Sequence, residues 1–464
     1  MNKHLESIYE RSPIFLQNAF CSLYGLKLYK ERYSSPWKKY YAQLLNSQHA
    51  SIDEIRFNQT SALKAIVKQA IEHVPFYREN VKLSLSEVQG ISLTNLHEIF
   101  PIIEKNHLRK KQEMFLSRKF DKKELIRINT SGTTGTPLAI YFTHNARKMN
   151  YAFFARFKNW AGIKGFEKSI TLAGRIIVPY RQDSPPYWRS NKFFNNILMS
   201  SYHLSPNTLS AYVQKIKDFK PVFIDSYPSS LAAIADFIIK NKISDVKVKT
   251  AITSSETLLA HQRELIERAF ACKVYDQYGS AEQVVFACQC EQGSYHINPE
   301  YGLLEVLDQK GRAVPEGEIG QLVCTGFTNE AMPLIRYKIE DIGSVSAQPC
   351  ACGRNFQVLK NIYGRKDDIL ITPEGRYVGR LDPIFKGLSS SIRETQIIQE
   401  KSDLVNVLIV KADNFEERHA GFIVEELKKR MGTVVTYTVT YVDSIPRTNS
   451  GKFRAVICKV DSKK

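Results

Sequence analysis

Nine consecutive residues, Asn129-Thr130-Ser131-Gly132-Thr133-Thr134-Gly135-Thr136-Pro137, constrain this chain more than any other stretch. Their small, hydroxyl-bearing and glycine side chains make a loop suited to holding phosphate. Glycine lets backbone N–H groups turn inward and approach an anion closely, and serine and threonine hydroxyls rotate to donate to phosphate oxygens. The run lacks the lysine that completes a Walker A loop and the spacing of a dinucleotide fingerprint, so it predicts a nucleotide site of another kind. A cation must come from elsewhere. The segment Ile445-Pro446-Arg447-Thr448-Asn449-Ser450-Gly451-Lys452-Phe453-Arg454 offers one, a lysine after a turn-forming stretch that can reach into a distant site.

The 464 residues exceed what one hydrophobic core organises, so two or more domains are expected, and a 43% hydrophobic content suits a globular protein. No apolar run approaches the roughly 18 residues that cross a bilayer, and the N-terminus has no signal-peptide pattern, which predicts a cytoplasmic protein. With 65 basic and 47 acidic residues the formal charge is +18, which favours anionic partners such as nucleotides, acidic membrane surfaces or nucleic acid. The basic clusters Lys105 to Lys111 and Arg118 to Lys123 read as solvated surface, with peripheral contact to an anionic membrane as a further role. Aromatic residues are not interleaved with them, so a nucleic-acid stacking platform is not expected.

The hydrophobic pattern places these segments in a mixed α/β chain. Leu63, Ile66, Ala70 and Ile71 fall at helical spacing within Asn58 to His73, and Val74-Pro75 stops that helix. Val222-Phe223-Ile224 reads as a buried strand, Ser226 to Ser230 as a turn, and Leu231, Ile234, Ala235 and Ile238 as the core face of a helix. Repetition of this unit through Val274 to Tyr278 implies α/β layers with the motif loops at strand ends, where backbone groups are free to bind ligands. From Leu303 to Val323, turn signals at Gln309-Lys310-Gly311 and Pro315-Glu316-Gly317 predict antiparallel β structure. After Tyr363-Gly364-Arg365, the segments Val405 to Val410, Phe422 to Met431 and Val434 to Tyr441 read as strand, helix and strand of a small α+β unit.

Eight scattered cysteines are too few for a disulfide framework, and reduced thiols are expected. Cys288-Gln289-Cys290, His296 and Cys350-Ala351-Cys352-Gly353 supply soft ligands in two short clusters, enough for a closed tetrahedral zinc site. Separate buried or surface thiols are the alternative.

Five motifs now stand in order along the chain: the glycine-rich loop, Tyr278-Gly279-Ser280-Ala281-Glu282, Arg336-Tyr337-Lys338-Ile339-Glu340-Asp341, Gly364-Arg365-Lys366-Asp367-Asp368 and Gly451-Lys452. In this order they resemble the adenylate-forming acyl-CoA synthetase superfamily over nearly the whole chain. Within it the chain resembles the branch of phenylacetate-CoA ligase, coenzyme F390 synthetase and the CapK-type capsular polysaccharide proteins. His73-Val74-Pro75-Phe76-Tyr77-Arg78, Tyr227-Pro228-Ser229-Ser230-Leu231, and Gly379-Arg380-Leu381-Asp382 with Phe385-Lys386-Gly387 carry that finer likeness.

The resemblance implies a large N-terminal AMP-binding domain over residues 1–363, with layered α/β subdomains and a β-rich section. It also implies a small mobile α+β domain over 364–464, hinged at Lys366 and Asp367. Thr130, Ser131, Gly132, Thr133, Thr134 and Gly135 would hold the ATP phosphates, Glu282 the magnesium, and Asp341 the ribose hydroxyls. Tyr278, with Gly279, would lie beside the adenine, Arg365 would approach the ribose, and Lys452 would align the attacking carboxylate with the α-phosphate. The matching zinc ligands would be Cys290, His296, Cys350 and Cys352, with Cys288 a spare.

The implied reaction is ATP-dependent activation of a small carboxylic acid as an acyl-adenylate, with pyrophosphate released and the acyl group passed to CoA or another thiol, amine or sugar hydroxyl. Because Ile371 to Arg380 is polar and resembles the CapK type rather than the CoA ligases, an acceptor in surface polysaccharide synthesis stays open beside CoA. Phe153, Phe154, Phe157, Trp160, Tyr180, Tyr187 and Trp188 suit an aryl acid or serve as core. Two other readings stand beside this one, a scaffold that kept the fold without activity and a zinc-containing protein that binds anions or nucleic acid.

Overall fold

The computed structural model describes residues 8–129, 138–174, 177–179, 181–365, 370–373, 377–378, 391–447 and 453–460. Along the chain the first two strands, β1 (Ile126–Asn129) and β2 (Ala139–Phe142), pair antiparallel, so residues 130–138 connect a hairpin that closes at Asn129 and Ala139. The glycine-rich residues 130–137 themselves lie outside the described residues.

A twelve-stranded sheet follows. Its strands are β3 (Ser169–Ala173), β4 (Trp188–Asn191), β5 (Asn196–Ser200), β6 (Phe223–Ser226), β7 (Thr250–Ser254), β8 (Lys273–Gly279), β9 (Phe286–Gln289), β10 (Tyr295–Ile297), β11 (Gly302–Leu307), β12 (Gly320–Gly326), β13 (Tyr337–Ser346) and β14 (Val358–Arg365). The spatial order is β11-β12-β13-β14-β10-β9-β8-β7-β6-β3-β5-β4. Strands β8, β7, β6, β3 and β5 run parallel, with the helices Leu209–Phe219, Pro228–Lys240 and Ala260–Phe270 as crossovers. Strands β9 to β14 pair antiparallel. This division follows the sequence pattern. Leu231, Ile234, Ala235 and Ile238 are buried on one face of their helix against the parallel strands, the leucine and the two isoleucines each worth about 1.5–3 kcal/mol of burial. The turns at 309–311 and 315–317 lie in the connection between the antiparallel β11 and β12.

Two short strands, β15 (Leu370–Ile371) and β16 (Tyr377–Val378), pair next. The last sheet contains β17 (Ile392–Lys401), β18 (Leu404–Lys411), β19 (Thr436–Tyr441) and β20 (Val456–Cys458) in the order β19-β18-β17-β20. The Glu417–Met431 helix buries Ile423, Leu427 and Met431 against it. Strand β17 and the parallel pairing of β20 with it were not read from the sequence.

Several local expectations change. The helix expected from Asn58 begins at Ile52, because Ser51 and Glu54 form a capping box: Ser51 Oγ accepts from the Glu54 amide at 3.2 Å and the Ser51 amide donates to Glu54 Oε2 at 2.8 Å. The turn expected at Ser226 to Ser230 is shorter, since Pro228 opens a helix with its preset φ. Lys105 is not solvated; it is buried, with Nζ 3.8 Å from Glu340 Oε2. Among the described residues no helix is long and apolar enough to cross a membrane.

Candidate active site and metal centre

Two carboxylates are each held by a tyrosine of the large sheet. Tyr278, near the end of β8, donates its phenol to Asp341 Oδ2 at 2.6 Å. Tyr337, at the start of β13, donates to Glu282 Oε1 at 3.0 Å. Burial, reinforced by the facing carboxylates, pushes both phenols well above their usual range, so both are fixed as donors. Each carboxylate accepts from its tyrosine through one oxygen. Buried Cys324 of β12 lies among them, its thiol pushed up by burial and then by Asp341, Glu305 and Glu282.

The motif residues around this pair divide by role. Arg336, at φ +52°, is buried, pairs with Glu305 at 3.1 Å and donates to the Phe100 carbonyl at 2.9 Å, which fixes the entry to β13. Arg365 ends β14 as the cross-strand partner of Asp341, so the backbone brings those two positions together. Gly279 is tightly surrounded: a Cβ there would displace the end of the Gln277 side chain, 2.7 Å away at Nε2, and press on the Val285 carbonyl at 3.2 Å. The hinge residues Lys366 and Asp367, the phosphate-loop residues Thr130 to Gly135, Lys452, Tyr180 and the 379–387 motif lie outside the described residues.

Sequence reasoning missed Glu256, two residues past the end of β7. Its Oε1 accepts from Ser229 Oγ at 3.1 Å and from the Phe453 amide at 2.9 Å, and its Oε2 accepts from the Ser229 amide at 3.0 Å. Ser229 lies in the first turn of the Pro228–Lys240 helix, whose unpaired N–H groups and positive dipole end favour a carboxylate. The contact therefore ties the carboxyl edge of the parallel strands, where ligands of open α/β sheets bind, to the residue that follows Lys452. Its only sequence signal is its place between a strand and a helix.

The four soft ligands converge. The ligand atoms of Cys290, His296, Cys350 and Cys352 lie within 4.8 Å of one another, joining the β9–β10 hairpin to the loop between β13 and β14. Cys290 and Cys350 sulfurs are 3.8 Å apart. That is about the separation of two thiolates sharing a tetrahedral ion with Zn–S bonds of about 2.3 Å. His296 Nδ1 faces the Phe356 carbonyl at 3.2 Å, so Nδ1 carries the proton and Nε2, 3.2 Å from Cys352 Sγ, keeps its lone pair for the cluster. Cys288 stands apart, buried and accepting from Asn298 Nδ2 at 3.6 Å.

The aromatic residues are mostly core. Phe153, Phe157 and Trp160 pack with Phe286, Tyr301 and Phe356, Phe154 packs against that group, and Tyr187 and Trp188 belong to the core of the parallel strands. The Phe153 helix is tied down by buried Arg156, whose Nη1 and Nη2 each lie 2.9 Å from a Glu300 oxygen.

Residues 370–459 match the CapK C-terminal domain family. Over 459 residues the chain is 29% identical to Protein CapK of Staphylococcus aureus, covering 98% of this chain and 99% of the relative. It is 24% identical to the phenylacetate-coenzyme A ligase of Thermus thermophilus, covering 87% of this chain and 96% of that one. The chain is a homologue of CapK and of the phenylacetate-coenzyme A ligases. The fold of this CapK homologue agrees: a 2-hydroxyisobutyryl-CoA ligase in the postadenylation state superposes with a TM-score of 0.69 at 22% identity, over 89% of this chain and 91% of that one. The mixed α/β architecture of the homologue is thus that of adenylate-forming ligases.

Proposed function

We propose that this chain activates a small carboxylic acid with ATP, forming an acyl-adenylate and releasing pyrophosphate, and then passes the acyl group to coenzyme A or another nucleophile. The observation that carries this reading is the pair of tyrosine-oriented carboxylates, Asp341 and Glu282, in a homologue of the phenylacetate-coenzyme A ligases. Adenylate formation brings a carboxylate oxygen to the α-phosphorus as the bond to pyrophosphate breaks, so negative charge crowds one place and must be met by donors and cations.

Asp341, oriented by the Tyr278 phenol, accepts from the two ribose hydroxyls. Glu282 is a hard oxygen donor suited to magnesium, which when bound neutralises phosphate charge. Residues 130–135 bind phosphate, and Arg365, the cross-strand partner of Asp341, meets the ribose. The Phe453 anchor on Glu256 supports a position for Lys452 at this edge, where its ammonium aligns substrate carboxylate and α-phosphate. Residues 1–363 act as the nucleotide-binding domain and 364–464 as a lid turning on Lys366 and Asp367. Cys290, His296, Cys350 and Cys352 fit a structural zinc ion, which closes the β9–β10 hairpin onto the neighbouring loop.

The acceptor is CoA, a carrier thiol, an amine or a sugar hydroxyl, and the protein works in the cytoplasm; the likeness to CapK favours surface polysaccharide synthesis as its setting. The test is pyrophosphate exchange into ATP across aryl, short-chain, hydroxy and amino acids, with Lys452→Ala as control. Acid-dependent exchange that disappears in the control supports adenylation. Binding of ATP with no exchange for any acid turns the reading toward a scaffold.

A further inference from the structure

The Ile14–Tyr33 helix is seated the wrong way round for a soluble protein. Its inward side uses mostly small and polar residues, with Leu28 the large aliphatic among its buried positions: Gly25 sits so close to Asn191 that a Cβ would come 2.4 Å from Asn191 Oδ1. On the same side Gln17 Oε1 accepts from Arg189 Nε at 2.5 Å, and Asn18 Oδ1 accepts from the Ser190 amide at 2.8 Å. Its outward side carries Phe15, Leu16, Phe20, Leu23, Tyr24 and Leu26, with Phe15 and Leu23 69% and 64% exposed. A surface helix normally turns such a stripe to the core, and monomers rarely expose a contiguous apolar patch of this kind.

The patch does not end with the helix. Exposed Phe193 and Phe166 pack on Tyr29 with ring centroids 5.2 and 5.7 Å away, which extends the apolar surface past the helix's second half. Exposed lysines accompany it: Lys27 and Lys30 on the outward side of the helix, and Lys192 and Lys164 beside the two phenylalanines. The one acid of the helix, Glu31, is turned to Arg147, its Oε1 3.1 Å from Arg147 Nε. The outward charge of the helix is therefore all positive, on a chain whose formal charge is +18, while the acid beside Phe166, Glu167, accepts from the Lys164 amide at 2.9 Å.

We propose that this face, the outward side of the Ile14–Tyr33 helix with Phe193 and Phe166, docks the protein on an anionic lipid bilayer. The helix lies in the plane of the interface. Its aromatic and leucine side chains enter the headgroup and acyl boundary, and the lysines extend along it to reach lipid phosphates. At 20 residues it is about 30 Å long, and it lies on the membrane rather than crossing it. Charge complementarity selects this occupant over a second copy of the chain, since a symmetric pairing would bring Lys27 and Lys30 of two strongly positive molecules together.

The experiment is flotation of the full chain with phosphatidylcholine vesicles, with and without about a third phosphatidylglycerol, at near-physiological salt. The chain is expected to float with the anionic vesicles, and at least about tenfold less with neutral ones. Phe15→Glu/Leu23→Glu and, separately, Lys27→Glu/Lys30→Glu should each weaken flotation at least about tenfold while circular dichroism and melting stay unchanged, because these side chains are exposed. As a reading independent of those variants, Leu23→Trp should gain blue-shifted emission over the parent on adding anionic vesicles. No flotation with anionic vesicles, full flotation of both double variants, or no emission change overturns the proposal. So does a lipid-free dimer that Phe15→Glu/Leu23→Glu splits, which gives the face to a second copy.

Discussion

The backbone N–H of Phe453 donates to Glu256 Oε1 at 2.9 Å, joining two residues 197 positions apart in sequence. One carboxylate thereby holds both the first turn of the Pro228–Lys240 helix and the backbone of Phe453, the residue that follows Lys452 in sequence. If Lys452 supplies the cation that the proposed chemistry needs, Glu256 is a positioning residue for it.

Replacing it separates positioning from binding. Glu256→Ala is expected to lower the rate of acid-dependent pyrophosphate exchange by about ten- to a hundredfold with little change in the KM for ATP. Glu256→Gln keeps one acceptor oxygen and should recover part of the loss. An alanine variant that exchanges at the parent rate sinks the role.

Asp341→Asn exchanges one ribose acceptor for a donor and disturbs the Tyr278 contact. ATP binding measured by calorimetry should weaken by about ten- to a hundredfold, because a hydrogen bond to a charged group is worth about 1.5–3 kcal/mol. Unchanged affinity would remove Asp341 from the nucleotide site.

The cysteine cluster predicts one zinc per chain by elemental analysis of the purified protein. Cys290→Ser or Cys352→Ser should lose the metal and lower the melting temperature by several degrees, on the order of 5 °C or more, whereas Cys288→Ser should keep the metal. Full zinc content in the Cys290 and Cys352 variants would place the ion elsewhere.

Asp276 supplies a pH signature unrelated to the reaction. Burial raises its carboxyl from an ordinary 3.8 to about 6, although Thr253 Oγ1 at 2.5 Å and Tyr295 Oη at 2.7 Å donate to it. The folded state therefore holds a proton, between pH 3.8 and about 6, that the unfolded chain has already lost. Its contribution to stability is present below that window and falls as pH rises through it, by up to about 3 kcal/mol. Melting temperatures of the parent and Asp276→Asn, compared from pH 4 to 7, should move in favour of the variant as pH rises; a constant difference would contradict the shift.

Local rules carried much of the fold. Leu63 and Ile66, Leu231 and Ile234, and the strand at Val405 were legible because each segment's period matches the face it buries. Strand β17 and the Ile14–Tyr33 helix were not. The first depends on a parallel partner from the chain's end, and the second turns its apolar side outward, where periodicity gives no direction.

The sequence by itself determined which chemical groups are present: a phosphate-type loop, two carboxylates, a distant lysine and four soft ligands, each recognisable because its chemistry is local. Only the tertiary structure decided what they meet. By chemistry and spacing alone Cys288 and Cys290 are equivalent, and only the family resemblance separates them in the chain; the pairing of β10 with β9 and β14 brings Cys290 to His296 and leaves Cys288 on Asn298. Glu256 has no motif at all, and its partners Ser229 and Phe453 come from a helix start and a far segment. Long-range hydrogen bonds form only after the sheet has set the distance between chain segments, and no spacing along the sequence records that distance.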